Sequence, residues 1–152
     1  GVYFSAYNNA SIPNVTGDGT HYVLAFNSTL ANVGGAYSTA TGLFTVPTSG
    51  NYLLGTVFIV SSAGFTVDQN YAALATSKNG VRDATLQLFG NPFAGGVQSP
   101  PEQFSLSGTI LMAMTAGDTF SLDLVVLGLT KNVSIYAGAS PNENSIWWVK
   151  SL

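Results

Sequence analysis

The sequence predicts an all-β fold, a sandwich or a barrel of about ten strands. Runs of β-branched and aromatic residues recur along the chain, and Gly, Pro, Asn or Asp bounds them. No stretch shows the i, i+3, i+4, i+7 apolar spacing of an amphipathic helix. Strand-sized segments follow one another at roughly 8–12-residue intervals, which is typical of sandwiches and barrels. A mixed α/β fold is the rival interpretation.

The individual strands are predicted from these runs and from the turn residues between them. Pro47 and Gly50 are expected to turn the chain into a long strand, and residues 8–20 to form a polar loop. The long strand alternates, so Tyr52 and Phe58 share one face. Strands are expected at residues 2–7, 22–27, 36–37, 43–46, 51–61, 71–77, 81–89, 103–114, 119–129, 133–137 and 146–152.

Two turns have clear signatures. Asn79-Gly80 is the strongest hairpin signal in the chain and predicts a type I′ turn. Ala116-Gly117-Asp118 is a second turn, in which Asp118 is interpreted as a turn residue rather than a catalytic acid.

Composition excludes several classes of protein. Charged residues are 7% of the 152 residues, against roughly 25% in typical soluble domains. With four basic residues, the chain cannot form a basic nucleic-acid surface or a basic membrane-binding face. No apolar run approaches the ~20 residues of a membrane-spanning helix, so no membrane insertion is expected. The absence of cysteine removes disulfides, thiolate metal sites and cysteine nucleophiles.

Several strands are apolar on both faces. Residues 110–114 and 124–127 hardly alternate, although a sandwich with a solvated outer face should carry polar residues there. A homo-oligomer interface is the simplest second buried surface, and interface cores are poor in charge.

A series of motifs, in order, resembles one known family. The motifs are Phe4-Ser5-Ala6, Asn32-Val33-Gly34-Gly35-Ala36-Tyr37, Thr41-Gly42-Leu43-Phe44-Thr45-Val46-Pro47-Thr48-Ser49-Gly50-Asn51-Tyr52 and Ala116-Gly117-Asp118-Thr119-Phe120. With them the chain resembles the globular head of complement C1q-like proteins, which is related in fold to tumour necrosis factor. Residues 145–152 depart from the family's usual F-x-G ending.

The resemblance implies a ten-stranded antiparallel jelly-roll β-sandwich that forms a homotrimer, with residues 1–152 as a single head domain. It also implies a stalk before Gly1, collagen-like or another trimeric fibre. The sheet that holds the long strand would line the three-fold contact. Residues expected to pack the trimer are Phe4, Tyr52, Phe58, Phe120 and Trp148. Because Trp147 and Trp148 are adjacent on one strand, one should be buried and the other should meet a neighbour.

Catalytic and metal chemistry have little support. His21 is the single histidine and is interpreted as a strand-edge residue, so we expect no enzyme activity, no cofactor and no metal site. Some heads of this family bind calcium through loop acids, and Asp68 and Asp83 are the only candidates here.

The first functional hypothesis is a non-enzymatic trimeric head that recognises a protein or glycan receptor at the tip of a fibre or stalk. The Ser, Thr, Asn and Gly surface resembles viral fibre or spike knobs, or bacterial surface trimers, and implies an extracellular, virion-surface or cell-surface location. Ligand-binding residues are unknown; the loops at 63–70 and 90–101 are the candidates. The alternatives are a structural trimerisation or capping domain without its own ligand, and a lectin-like enzyme accessory domain.

Overall fold

The structure, a computed structural model, describes residues 2–62, 71–82, 88–90, 103–138 and 145–152. In chain order, the strands of these residues are β1 (Val2–Tyr7), β2 (Ile12–Thr16), β3 (His21–Val23), β4 (Ser28–Asn32), β5 (Tyr37–Ser38), β6 (Leu43–Thr45), β7 (Gly50–Ser62), β8 (Tyr71–Lys78), β9 (Val81–Arg82), β10 (Leu88–Gly90), β11 (Gln103–Met114), β12 (Thr119–Leu127), β13 (Val133–Ile135) and β14 (Ile146–Ser151). A 3₁₀ turn spans Val33–Gly35. Within these ranges, no helix has the length and apolar character needed to cross a bilayer.

The strands form two antiparallel sheets. The first sheet has the order β2-β13-β7-β14-β1-β4, and β11 pairs with β7 from Gly50 to Ser61. The second has the order β10-β8-β12-β6-β5, with β3 on β12 and β9 on β8. The predicted all-β, antiparallel class is therefore confirmed.

The core lies between the two sheets and is built on the inward face of β7. The predicted alternation is confirmed, since Tyr52, Phe58 and Val60 are all at most 1% exposed. At one end of the core, Phe4 stacks on Tyr37 at 4.6 Å between ring centroids. The rings of Phe4 and Trp147 are nearly perpendicular, with 4.8 Å between centroids, a geometry that adds attraction beyond area burial.

The predicted polar loop at residues 8–20 is wrong, because β2 lies inside it. Val15 and Thr16 are buried, and Val133 of β13 pairs with Thr16. The Thr16 hydroxyl donates to the carbonyl of Thr20 at 2.6 Å and accepts the Val126 N–H at 3.1 Å. Val126 and Val133 are more than a hundred residues away in the sequence. The local composition of residues 8–20 therefore could not indicate this pairing.

The strand predicted at residues 22–27 ends early, at Val23. Leu24 and Phe26 are nevertheless buried. The N–H of Phe26 donates to the Tyr37 hydroxyl at 2.8 Å instead of to a neighbouring strand. Burial raises the pKa of Tyr37 to about 12, which keeps this phenol protonated in the folded chain.

The two predicted turns meet at one end of the second sheet. Asn79 and Gly80 have φ values of 50° and 79°, as a type I′ turn requires. The Asn79 amide donates to Asp118 Oδ1 at 3.0 Å, and its oxygen accepts the Thr119 N–H at 2.8 Å. Lys78 Nζ lies 2.8 Å from Asp118 Oδ2. Asp118 is thus a turn residue that ties two hairpins together.

Acid should loosen this tie. The hydrogen bond from Asn79, and then the contact with Lys78, hold the pKa of Asp118 below its ordinary value of 3.8. A carboxyl whose folded pKa is lowered stabilises the fold above the unfolded pKa, and this stability is lost as pH falls below about 4. We expect Asp118→Asn to flatten the acid side of a plot of unfolding free energy against pH. Lys78→Gln, which leaves the Asn79 contact, should flatten it less; equal slopes for Asp118→Asn and the wild type would contradict this role.

Candidate functional site

The outer face of the first sheet carries an apolar patch along β7 and β14, and β11 places the hydroxyl residues Ser105, Ser107 and Thr109 beside it. Alternation on β7, β11 and β14 turns six large apolar side chains and the small Ala113 away from the core, and we call the six large ones the apolar face. They are Leu53, Val57, Ile59, Leu111, Ile146 and Trp148. Val57 is 48% exposed and Leu111 is 58% exposed.

Strand register pairs several members of the apolar face directly with one another. Leu111 lies opposite Leu53, and Val57 lies opposite Ile146. Directly opposed residues have Cβ atoms about 4.5–5.5 Å apart, which is within contact distance. Among the described outward residues of β7, β11 and β14, only Lys150 carries a charge. A face of this kind is typical of the buried centre of an interface.

Gly55 lets Trp148 lie flat on this face. The two residues are directly opposite. A Cβ on Gly55 would be 2.1 Å from Cζ2 and 2.3 Å from Cε2 of the indole. The ring therefore occupies the space that a side chain at position 55 would fill, and Trp148 depends on the glycine.

The residues predicted to pack the trimer separate into two groups. Phe4, Tyr52, Phe58 and Phe120 are at most 1% exposed within the single chain. These side chains cannot contact a partner subunit directly. Any part they have in trimer packing would be indirect, through the core that supports the outer face. Trp148 is partly exposed on the apolar face, whereas Trp147 is fully buried. The prediction that one of the two tryptophans is buried is therefore confirmed, and contact of the other with a neighbour stays a prediction.

The outer face of the second sheet carries a charge cluster that sequence reasoning missed. It joins His21 of β3, Arg82 of β9 and Asp123 of β12. His21 Nδ1 is 2.9 Å from Asp123 Oδ1 and 3.2 Å from Arg82 Nη1. Arg82 Nη1 also donates to Asp123 Oδ1. The one signal available was rarity, since these are the only histidine and the only arginine of the chain.

The cluster connects four adjacent strands of the second sheet, from β3 through β12 and β8 to β9. Asp123 is 7% exposed, and its carboxylate receives the guanidinium of Arg82 from across β8. Burial lowers the pKa of Arg82. Over the described part of the chain, no three His, Cys, Asp or Glu side chains come together as a metal site would require.

The remaining candidates lie outside the described residues. They are the calcium candidates Asp68 and Asp83 and the predicted binding loops at 63–70 and 91–101. Gly90, the first residue of the second loop as predicted, is the last residue of β10.

We expect Gly55→Ala to displace Trp148. Overpacking of this kind should lower the free energy of unfolding by roughly 1–3 kcal/mol. The near-ultraviolet circular dichroism signal of the indole should change as well. Gly50→Ala, on the same strand, is the control, because a Cβ there meets nothing within 4 Å. Removal of the indole in Gly55→Ala/Trp148→Ala should abolish the clash, so the two effects should not add. Equal stability of Gly55→Ala and Gly50→Ala would contradict the contact.

We expect Arg82→Gln to destabilise the fold by roughly 1–3 kcal/mol, because Asp123 would keep a largely buried charge without its main partner. The double variant Arg82→Gln/Asp123→Asn removes that charge and should be more stable than Arg82→Gln alone. Lys131→Gln, at an exposed position, should change stability by less than about 0.5 kcal/mol. Denaturant unfolding of the three variants and the wild type tests this order of stability. A double variant less stable than Arg82→Gln alone would contradict the prediction.

Comparisons with known proteins agree with this architecture. The family model for the C1q domain matches residues 3–138. Curated protein sequences give no significant match. The described fold is shared with solved structures of low sequence identity, which therefore speak for the fold alone.

Three such structures cover nearly the whole chain. The globular domain of zebrafish complement 1qA protein has a TM-score of 0.63 at 15% identity, over 98% of this chain and 95% of that one. Eiger TNF from S. frugiperda has a TM-score of 0.66 at 13% identity, over 99% and 93%. Murine APRIL has a TM-score of 0.60 at 11% identity, over 98% of both chains. The predicted antiparallel jelly roll is thus confirmed, and the match over residues 3–138 shows that this chain belongs to the C1q domain family.

Proposed function

We propose that residues 1–152 form a single, non-enzymatic head domain that assembles as a homotrimer through the apolar face. The observation that carries the proposal is that face: six large apolar side chains, beside which the described outward residues of β11 are uncharged and Lys150 of β14 is the one charge. Stable homo-oligomeric interfaces are more apolar than ordinary protein surface. Domains of the C1q and TNF families typically form homotrimers.

Electrostatics favour this face over the outer face of the second sheet. Contact through the second sheet would bury the remaining exposed part of the His21, Arg82 and Asp123 cluster. Removing charges from water is costly unless every one of them gains new partners. Burial of Val57 and Leu111 has no such cost, and it removes apolar area from water at about 25 cal/mol per Å².

We propose recognition of a protein or glycan receptor as the role of the trimer, at the tip of a fibre or stalk, in an extracellular setting or on the surface of a virion or a cell. Family membership supports a trimeric recognition head in general terms. A rigid sandwich presents its loops as the variable surface, so the loops are the proposed contact region.

A structural trimerisation or capping domain is the second candidate. The apolar face supports this candidate as well. A domain that only aligns three chains in a trimer needs such a contact face and no ligand. The two candidates share the assembly and differ in binding.

We expect light scattering at micromolar concentration to give three times the chain mass of 15.8 kDa. Val57→Asp and Leu111→Asp place a charge in the apolar face and should give folded chains of lower mass, with circular dichroism as the check on folding. Val81→Asp is the control, since Val81 is 71% exposed on β9, away from that face. A wild-type mass of 15.8 kDa would overturn the proposed assembly.

Binding of the wild-type trimer to a glycan array and to candidate receptor proteins separates the two functions. Saturable binding that depends on loop residues favours recognition. A trimer that binds neither class favours the structural role.

A further inference from the structure

A small cavity lies between the two sheets. Its walls come from both sheets: Leu54 and Thr56 of β7, Ile110 of β11 and Trp147 of β14 on one side, with Thr76 of β8 and Leu122 of β12 on the other. The space open to the centre of a water molecule is about 20 Å³. Most of the lining is aliphatic or aromatic, so the few polar atoms at its walls decide what it can hold.

Two of the lining residues carry buried polar atoms that have no hydrogen-bond partner among the described residues. They are Nε1 of Trp147 and Oγ1 of Thr76. Trp147 is fully buried and Thr76 is 5% exposed, so bulk water does not reach them as it reaches a surface group. The neighbouring Thr56 is different, because its hydroxyl donates to the carbonyl of Ile146 at 2.9 Å. Buried N–H and O–H groups are almost always paired, and ordered water is a common partner.

Packing holds the Trp147 indole in its present orientation. Its ring makes edge contacts with Phe4 at 4.8 Å and with Tyr37 at 5.7 Å between centroids. Both of these rings are themselves buried. Rotation of the indole toward another acceptor would break these contacts, so its N–H needs a partner where it lies.

We propose that the cavity is a binding site for one water molecule, which accepts a hydrogen bond from Trp147 Nε1–H and bonds to the hydroxyl of Thr76. A single water needs about 10–15 Å³ by this measure, together with at least two polar partners. The volume of the cavity meets the first condition, and the two unpaired atoms on its lining residues are the candidates for the second. The water links the sheet of the apolar face to the opposite sheet, and it does so within one chain, so the proposal does not depend on trimerisation.

A high-resolution crystal structure of the wild type, with Thr76→Val and Thr109→Val studied beside it, tests the site. We expect an ordered water within hydrogen-bond distance of both Trp147 Nε1 and Thr76 Oγ1. Thr76→Val keeps the shape of the side chain but removes the hydroxyl. It should therefore lower the folded-to-unfolded ratio about five- to thirtyfold. Thr109 lines the same cavity but is exposed, so Thr109→Val should leave the ratio nearly unchanged.

A dry cavity predicts the opposite sign. If no water binds, Thr76→Val removes an unpaired hydroxyl, and the variant should be as stable as the wild type or more stable. That result would overturn the proposal, as would a wild-type crystal structure with a dry cavity or with Trp147 Nε1 bonded to a protein acceptor. If Thr76→Val fails to fold, the wild-type crystal structure alone decides.

Discussion

The structure depends on β7, which is paired along both edges and has one face buried in the core. Its inward residues, from Tyr52 to Val60, form the centre of the core. β11 pairs with it along one edge, while β14 and β13 share the other. Its outward residues Leu53, Val57 and Ile59 begin the apolar face. This pairing makes β7 an interior strand of its sheet and places the core on its inward face.

The Trp147-Trp148 pair connects the two regions. Because successive strand residues point to opposite faces, Trp147 enters the aromatic end of the core while Trp148 lies on Gly55 of the apolar face. A shift of β14 along β7 would move both indoles at once, since it would take Trp148 off its glycine and Trp147 away from Phe4. The register of β14 is therefore fixed from two sides.

The sequence predicted the features that depend on local pattern. Alternation identified the buried face around Phe58, Asn79-Gly80 identified its turn, and the ordered motifs identified the family. Features that depend on long-range register were missed. β2 exists because β13, more than a hundred residues later, pairs with it. Gly55 inside a long strand did carry a signal, because such a glycine often marks a close approach by another group, but the sequence could not name Trp148 as that group.

Scarcity of charge explains how the two outer faces differ. With 7% charged residues in the whole chain, each charge restricts strongly which surface can be buried. On the second sheet, Arg82 and His21 are already used to hold the largely buried Asp123, so this face is satisfied in water without a partner. On the first sheet, the described outward charge is confined to Lys150 near the end of β14. Exposure to water is therefore unfavourable for the apolar face of the first sheet, whereas the outer face of the second sheet tolerates it. That asymmetry is the reason we propose the first sheet, rather than the second, as the subunit contact.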